Sequence, residues 1–426
     1  MVAEKATHDI NLHNVNLFLH DEFHEAFRVL RQEAPVHWNP GSARANGFWS
    51  MTKYEDILTI SRNPEIFISS KGIGGSGERE PDEVDQAREA ARPRGEGASS
   101  IITMDPPRHV KMRRLVNKGF TPRAVNAMEP KIREMTRAIL DEVGDRKEGD
   151  FVLEVSSRLP LAVICGLMGL PRESWDLMFD LTNAALGAGD PEYQQAQTGA
   201  SGHINNAKET ARRGNLRMAE YFREVMVSRR VEPQDDLISL LLESEVDGEK
   251  LTEGEILAFC NLLVVAGNET TRNAISGGMV VLDRNPEERA KLQSDVPRYI
   301  DSAVEEMLRW TSPLHHMTRE ATEDFEVRGQ HISPGEKVIM WYPSANRDED
   351  VFEDPYRFDI ERTPNDHLAF GIGEHFCLGA GFARKEVKVM FEELFDRYPD
   401  IKVTGEPDRL RSSFINGVKH LTVQYQ

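Results

Sequence analysis

The stretch AFGIGEHFCLG, residues 369–379, sets a single cysteine in a frame of glycines, and the interpretation of the whole chain starts there. The two other cysteines, Cys165 and Cys260, lie far away in apolar helical patterns that are typical of small buried side chains. Three readings of Cys377 are open: a buried structural cysteine, a catalytic nucleophile with His375 as its base, or one ligand of a metal site. The cysteine spacings match neither a zinc site, nor an iron–sulfur cluster, nor a disulfide framework.

The glycines around Cys377 favour a ligand to haem iron. Such a cysteine must face an open ring, and the chain beside it must be thin enough for the macrocycle to lie close. Gly371, Gly373 and Gly379 supply that thinness and the necessary backbone freedom. A thiolate ligand also donates electron density that favours cleavage of the O–O bond. The stretch therefore predicts haem ligation by Cys377.

The same residues resemble the signature of the cytochrome P450 haem-thiolate monooxygenases, which reads Phe, Gly, any, Gly, any, His or Arg, any, Cys, any, Gly. In this chain its defined places are filled by Phe370, Gly371, Gly373, His375, Cys377 and Gly379. The resemblance extends from about residue 15 to the last residue, and further motifs follow in the order of the family. It implies haem b as cofactor, dioxygen as co-substrate, Cys377 as the metal ligand, and Phe370 and Gly371 beside the ring.

A long helix is predicted from Thr252, an N-cap residue with Glu255 three positions on, to Arg284, which precedes Asn285-Pro286. Its middle, AFCNLLVVAG, is apolar on nearly every side, which is typical of a central buried helix.

Within that helix the stretch VVAGNETTR, residues 264–272, places a glycine, an acid and hydroxyls in apolar surroundings. These residue types weaken a helix locally and leave carbonyl and hydroxyl groups to hold dioxygen or water. The stretch resembles the oxygen-activation motif of the family, which implies that Ala266 and Gly267 lie against haem. By the same resemblance Thr270 hydrogen-bonds dioxygen and Glu269 supplies protons.

A helical Glu-x-x-Arg pair, Glu306 and Arg309, can form an ion pair on one helix face. In the family such a pair is joined by an arginine from a Pro-x-Arg-Phe segment, which here implies Arg357. The role of this triad is structural. The resemblance also implies the residues that hold the haem propionates: His109, Arg113, Arg319 and His375.

The net charge of the chain limits the classes of partner that it can bind. A net charge of −19 over 426 residues argues against nucleic acid or an anionic membrane as a partner. No apolar run reaches the length of a membrane span, and the first residues lack a signal-peptide pattern, so we expect a cytoplasmic protein without a membrane anchor.

Helical periodicity dominates the chain and strand patterns are sparse, which predicts a mostly α fold with a small β region. Helices are expected at 21–33, 54–62, 107–119, 130–144, 151–169, 172–188, 204–229 and 235–244. Strands are expected at 35–52, in a hairpin with a Ser-Pro-Gly turn at 324–342, and at 401–425. The resemblance implies one triangular domain, residues 1–426, with a long central helix.

Residues 70–100 are rich in Gly, Glu, Arg and Pro and predict a mobile loop over the pocket. Their GIGGSG is a poor dinucleotide-binding match because acidic residues follow it.

The resemblance implies a monooxygenase that hydroxylates an apolar sterol, terpenoid or branched lipid. Expected walls of the substrate pocket are Val264, Val265, Leu314, His315, Met317, Phe414 and Ile415. The chain contains no flavin or iron–sulfur module, so the electrons must come from a separate protein, which we expect to be a ferredoxin served by a ferredoxin reductase. We expect a ferredoxin to dock on the basic stretches RHVKMRR and ARKEVK. We also expect a monomer.

Three other functions are open. A haem peroxygenase would use hydrogen peroxide, and the pair Glu269-Thr270 argues against it. A haem-based sensor would need no proton delivery. A non-haem thiol enzyme is the third alternative, and it would be colourless.

Overall fold

Helices make up most of the protein in its computed structural model, which describes residues 7, 10–41, 46–74, 100–187, 189–195, 207–246 and 248–426. The helices in these ranges are α1 Val15–Leu19, α2 Phe23–Glu33, α3 Tyr54–Ser61, α4 Arg108–Val116, α5 Pro122–Val143, α6 Arg158–Leu167, α7 Trp175–Leu186, α8 Pro191–Gln195, α9 Ala207–Val231, α10 Leu237–Glu243, α11 Glu253–Arg284, α12 Pro286–Ser294, α13 Val296–Thr311, α14 Tyr342–Ala345 and α15 Ala380–Arg397. The strands are β1 Val36–Asn39, β2 Phe48–Met51, β3 Phe67–Ile68, β4 Glu148–Asp150, β5 Glu245–Val246, β6 Glu249–Lys250, β7 His316–Ala321, β8 Phe325–Val327, β9 Gln330–Ile332, β10 Lys337–Trp341, β11 Lys402–Val403, β12 Asp408–Arg409, β13 Val418–His420 and β14 Thr422–Gln424. The predicted fold class, mostly α with a small β region, is confirmed.

The long helix α11 is also confirmed, including its ends. Thr252 and Glu255 form a reciprocal capping box at its start, and Asn285 ends it before a proline. Its 32 residues span about 48 Å at the usual rise per residue. The first half of α11 lies in one hydrophobic cluster with α6, α9 and α10, and the second half lies in another with α13 and α15. This helix is buried because two cores meet along it.

The largest sheet has the strand order β1-β2-β10-β7-β3, and only the β2–β10 pair is parallel. The predicted hairpin with a Ser-Pro-Gly turn is wrong. The hairpin joins β8 to β9 through Arg328 and Gly329, whose φ angles of 49° and 75° suit a two-residue turn. Ser333, Pro334 and Gly335 instead turn the chain into β10, which pairs with β7 and β2.

Two helix boundaries differ from the predictions for local reasons. α5 begins at Pro122 because the Thr121 side chain accepts the amide of Ala124, and Pro130 lies inside the helix rather than at its start. The segment expected as one helix at 151–169 begins with a π-helical turn, Val152–Ser156, before α6.

Residues 75–99 of the predicted mobile loop lie outside the described residues, and the assignment of one domain stays a prediction. Among the helices in the described ranges, none has both the length and the apolar character needed to cross a bilayer.

Candidate functional site

The cysteine loop, residues 369–379, folds back on itself at two glycines. Gly371 and Gly373 have φ angles of 66° and 76°, which side chains rarely adopt. A Cβ at Gly373 would also lie 2.5 Å from the backbone oxygen of Ser61. The loop closes where the amide of Cys377 donates to the carbonyl of Phe370 at 2.9 Å. The glycine frame therefore fixes where Cys377 lies.

The Cys377 thiol faces competing influences. Burial raises its pKa, while hydrogen bonds from the amides of Gly379 and Ala380 and the charges of Arg113 and Arg384 lower it. The amides of Gly379 and Ala380 lie at the start of α15, where free backbone N–H groups favour the negatively charged thiolate form of a nearby cysteine. A Cβ at Gly379 would meet no atom within 4 Å, so there is open space beside this glycine, two positions after Cys377.

A deep cavity joins Cys377 to the middle of α11. Cys377, Phe370 and Gly371 lie on one side of it, and Ala266, Gly267 and Thr270 lie on the other. Apolar side chains provide most of the remaining wall, including Ile101, Ile102, Leu262, Leu263, Leu314 and Met317.

Four basic side chains predicted from the sequence meet at one rim of this cavity: His109, Arg113, Arg319 and His375. His109 is 1% exposed, its ring lies 4.0 Å from that of His375, and neither of its nitrogens has a hydrogen-bond partner. Among the described residues, Arg113 and Arg319 form no ion pair with a carboxylate. Arg113 and Arg319 donate to the backbone carbonyls of Phe376 and Thr318. The two carboxylates of a haem would supply the negative charge and the acceptors that these arginines and His109 lack.

Burial lowers the pKa of His109 to about 4, with Arg113 adding to the effect, and burial lowers that of His375 to about 3. Both imidazoles are therefore neutral at neutral pH and offer hydrogen bonds, while the two arginines supply the positive charge. Together with the single thiolate and the open space beside it, this donor set fits haem.

The polar turn of α11 is continuous helix, in contrast to the predicted local weakening. The Thr270 hydroxyl, which lines the cavity, donates to the carbonyl of Ala266 at 2.7 Å. A Cβ at Gly267 would lie 3.4 Å from Ile164, an ordinary contact distance, so the packing of α6 does not itself require a glycine here.

Glu269 is buried in α11 but does not line the cavity. It forms an ion pair with Arg272, and its Oε1 has no hydrogen-bond partner. Burial raises the pKa of Glu269, and Arg272 opposes that effect. Arg272 in turn donates to Asn183 of α7 at 3.0 Å. A carboxylate of this kind can hold or release a proton, and it belongs to the residue that directly precedes Thr270 in α11.

The predicted structural triad forms with a different third member. Glu306 and Arg309 are fully buried and form an ion pair at 2.7 Å. The prediction of Arg357 is wrong: its side chain is 61% exposed and lies 3.9 Å from Asp359. The arginine that reaches Glu306, at 3.3 Å, is Arg362. Arg357 contributes its backbone carbonyl, which accepts from both Arg309 and Arg362.

Of the predicted pocket residues, Leu314 and Met317 line the cavity, while the other five do not. Val264 and Ile415 belong to the buried core, and His315 packs its ring against Phe18 and Phe23. Val265 and Phe414 are half-buried elsewhere. Those five assignments are wrong because adjacent residues on a helix or strand face different sides.

Several wall residues were missed. Leu262 and Leu263 both lie about two helical turns before Thr270, so the 3.6-residue repeat counted back from Thr270 would have found them. Tyr342 and Glu386 carry no sequence signal. Burial raises the pKa of Glu386 to about 8, and its Oε2 has no partner.

The comparisons with known proteins agree with this geometry. Residues 76–415 match the family model of cytochrome P450. The chain is 41% identical over 428 residues to a methyl-branched lipid omega-hydroxylase of Mycobacterium tuberculosis, covering 98% of this chain and 95% of the relative. It is 35% identical to a steroid C26-monooxygenase of Mycolicibacterium smegmatis, covering 94% and 90%.

Solved structures with a similar fold include a Mycobacterium marinum cytochrome P450 in complex with pseudoionone, with a TM-score of 0.85, 34% identity and 95% of each chain covered. Another is a Bacillus megaterium enzyme in complex with testosterone, with a TM-score of 0.81, 33% identity, and 97% of this chain and all of that chain covered.

Proposed function

The chain belongs to the cytochrome P450 family and is a monooxygenase of that family; from this premise we propose that it hydroxylates an apolar alkyl chain, carried by a methyl-branched lipid or a steroid side chain. One observation carries the proposal. A cavity walled by aliphatic side chains connects Cys377 to Thr270, and its cationic side chains are confined to one rim.

Membership of the family implies haem, which we propose is haem b, with dioxygen as co-substrate. When bound, haem supplies the iron at which dioxygen is activated. Cys377 would be its thiolate ligand. His109, Arg113, Arg319 and His375 would hold its propionates, with Ala266, Gly267, Phe370 and Gly371 against its faces.

Proton movement is assigned to α11. The Thr270 hydroxyl can give up its bond to the Ala266 carbonyl and donate towards the cavity instead. Glu269, one residue earlier, can resupply that proton because its pKa is raised and one carboxylate oxygen is unpartnered. The apolar wall excludes bulk water, so protons should enter through these groups rather than through the substrate side.

The substrate proposal is supported by the aliphatic composition of the cavity wall, where Glu386 is the one carboxylic acid among the described lining residues, and by the names of the two relatives. An apolar chain buried there is held by its contact area, with few polar groups to orient it. A substrate with an alkyl chain should therefore bind more tightly than its truncated form.

A haem spin-state titration tests this idea with three probes: a methyl-branched fatty acid, a steroid with an intact alkyl side chain, and the same steroid nucleus without it. We expect the first two to shift the spectrum at concentrations at least about 10-fold lower than the third. Product analysis with ferredoxin, ferredoxin reductase and NAD(P)H should then find the hydroxyl on the alkyl chain. Equal affinity for the truncated steroid, or hydroxylation of the ring nucleus, would contradict the proposal.

The electron donor is proposed to be a ferredoxin that docks on the surface beside Cys377. Arg114 and Lys118 are exposed there, and Phe376 is 40% exposed. The second predicted basic stretch contributes less, because Arg384, Lys385 and Lys388 each pair with a carboxylate of a neighbouring helix. Arg114→Glu should slow reduction and weaken its dependence on salt, whereas Arg217→Glu on α9 should not. Identical behaviour of the two variants would disprove docking at this surface. A monomer remains our expectation.

A further inference from the structure

Within the part of the chain that the structure describes, the Glu269–Arg272 pair has no route to bulk water. Glu269 is 1% exposed, Arg272 is fully buried, and Glu269 does not line the cavity. If Glu269 supplies protons, each one must be replaced from solvent before the next turnover. The replacement must pass through whatever covers the pair on the side away from the cavity.

Tyr193 of α8 lies over this pair. Asn183 accepts a hydrogen bond from Arg272 at 3.0 Å, and one turn later the amide of Gly187 donates to the Asn183 carbonyl at 2.8 Å. A Cβ at Gly187 would overlap the Tyr193 ring, so that ring packs directly on the end of α7 that holds Arg272. Glycine at this position is what lets the tyrosine approach.

The phenol of Tyr193 is electrically close to the pair. The two charges that act most strongly on it are those of Arg272 and Glu269, in that order. Burial raises the pKa of Tyr193 to about 12, so the hydroxyl keeps its proton and remains a donor at neutral pH. The residue is half-buried and so keeps some contact with solvent. A protonated hydroxyl between water and a carboxylate can pass protons without ionising.

Two basic residues of β13 hold Tyr193 in this place. Lys419 lies 2.8 Å from Glu192 and 3.3 Å from Asp190, on either side of Pro191. His420 lies 2.9 Å from the other oxygen of Glu192 and 2.6 Å from Asp150.

We call these contacts of Lys419 and His420 the β13 clamp. Lys419 is only 8% exposed, so its bonds are shielded from water more than those of an ordinary surface pair. Asp190 is also fixed by the amide of Arg411 at 3.0 Å. The segment that carries Tyr193 is thus anchored at Glu192 and at Asp190.

We propose that Tyr193 relays protons from solvent to Glu269 and that the β13 clamp positions it to do so. The relay conserves charge and atoms: the phenol O–H bond breaks as its proton goes to the Glu269 carboxylate, and a new O–H bond forms with a proton taken from water. This inference rests on the proposed role of Glu269 in proton supply. It adds the entry route, which no motif of the chain contains.

Tyr193→Phe tests the relay because it removes the hydroxyl and keeps the ring on Gly187. We expect a several-fold rise in hydrogen peroxide released per NAD(P)H consumed and a larger kinetic solvent isotope effect. Hydrogen exchange of residues 189–195 and the carbonyl spectrum should be unchanged. Tyr221→Phe, on α9 and against Phe222, is the matched control and should behave as the unsubstituted protein.

The clamp is tested separately with Lys419→Met and Lys419→Arg. Lys419→Met should remove exchange protection of residues 189–195 and raise the peroxide fraction as Tyr193→Phe does, whereas Lys419→Arg should preserve both. If protection is lost while coupling and isotope effect stay normal, the clamp does not position the relay and the inference is overturned.

Glu269→Gln separates this inference from the proposed function. If it uncouples turnover while Tyr193→Phe does not, Glu269 supplies protons but Tyr193 does not feed it, and the relay is refuted. If neither variant uncouples turnover, Glu269 does not supply protons, and both its assigned role and the relay through Tyr193 are disproved. Uncoupling by both, with a normal Tyr221→Phe, supports the relay.

Discussion

Two glutamate–arginine pairs of the protein share one local pattern and differ in how they are completed. Glu306 and Arg309 of α13, like Glu269 and Arg272 of α11, are three residues apart on one helix and buried. The α13 pair lies beside the segment that leads to the cysteine loop, and the α11 pair lies beside the turn that carries Thr270.

The α13 pair is saturated with hydrogen bonds. Glu306 accepts from Nη2 and Nε of Arg309 at 2.7 and 2.8 Å, and from the Asp359 amide at 3.0 Å. It also accepts from Arg362 at 3.3 Å and from Asn365 at 3.1 Å. Removing one member would leave several buried groups unpaired at once.

The α11 pair is left incomplete. The Oε1 of Glu269 and the Nε of Arg272 have no hydrogen-bond partner among the described residues. A carboxylate with a free oxygen can take up or release a proton without breaking a network, whereas a saturated one cannot. The same sequence pattern thus gives a fixed structural group in one place and a titratable group in the other.

The largest expected difference between the pairs is in stability. Arg309→Leu should lower the free energy of unfolding by about 3–5 kcal/mol, because it leaves the Glu306 charge buried without its main partner. Glu269→Gln also leaves a buried charge, that of Arg272, without its carboxylate. Asn183 still accepts from Arg272 and the new amide oxygen can accept as well, so the cost should be smaller, about 1–3 kcal/mol. Denaturant unfolding measures both values.

Arg357→Ala is the control for that experiment. Its side chain is exposed, so the change should stay within about 0.5 kcal/mol. A loss as large as that of Arg309→Leu would restore Arg357 to the triad and contradict the assignment of Arg362.

The second difference is in chemistry. Glu269→Gln should lower the rate of product formation by about 100-fold and divert reducing equivalents to hydrogen peroxide, because the amide cannot supply a proton. Haem content and substrate affinity should be nearly unchanged. Steady-state product, peroxide and NAD(P)H measurements give the result.

Glu386→Gln provides a matched comparison, because Glu386 is equally buried and lines the cavity from α15. We expect its coupling to stay close to that of the unsubstituted protein. The reverse outcome, uncoupling in Glu386→Gln alone, would move proton supply away from α11.

The smallest expected effect is a pH-dependent change in the free energy of unfolding at His420 of β13. Burial lowers the pKa of His420, but the hydrogen bonds to Asp150 and Glu192 outweigh it and raise the pKa above its ordinary value. Charged His420 therefore stabilises the fold below that ordinary value, and the stabilisation is lost as pH rises through the raised pKa.

His420→Gln should accordingly cost about 0.2–1 kcal/mol near pH 5.5 and almost nothing near pH 9, since solvent screens a side chain of this exposure. Unfolding curves at the two pH values measure the difference. A cost that grows with pH would mean that the histidine acts through something other than its charge.

The sequence was sufficient where the signal is local. The ends of α11 follow from a capping box and a proline, and its burial follows from the apolar middle. The glycine frame of Cys377 is likewise readable from residue types, because two of its positions need positive φ angles.

The sequence was insufficient where side-chain direction depends on distant packing. Arg357 and Arg362 lie in an irregular segment without periodicity, and only the path of the chain past Glu306 decides which one points inward. Val264 is fully buried in the core, because the helices packed against α11 decide which of its apolar faces borders the cavity. Tyr193 has no motif at all, since its position depends on β13.

The most direct test of the central claim is the absorption spectrum of the reduced protein with carbon monoxide, measured for the unsubstituted chain and for Cys377→Ala. We predict the red-shifted carbonyl band of thiolate-ligated haem in the first and its complete loss in the second. A protein without that band, or a Cys377→Ala variant that keeps it, would contradict the assignment of Cys377 as the haem ligand.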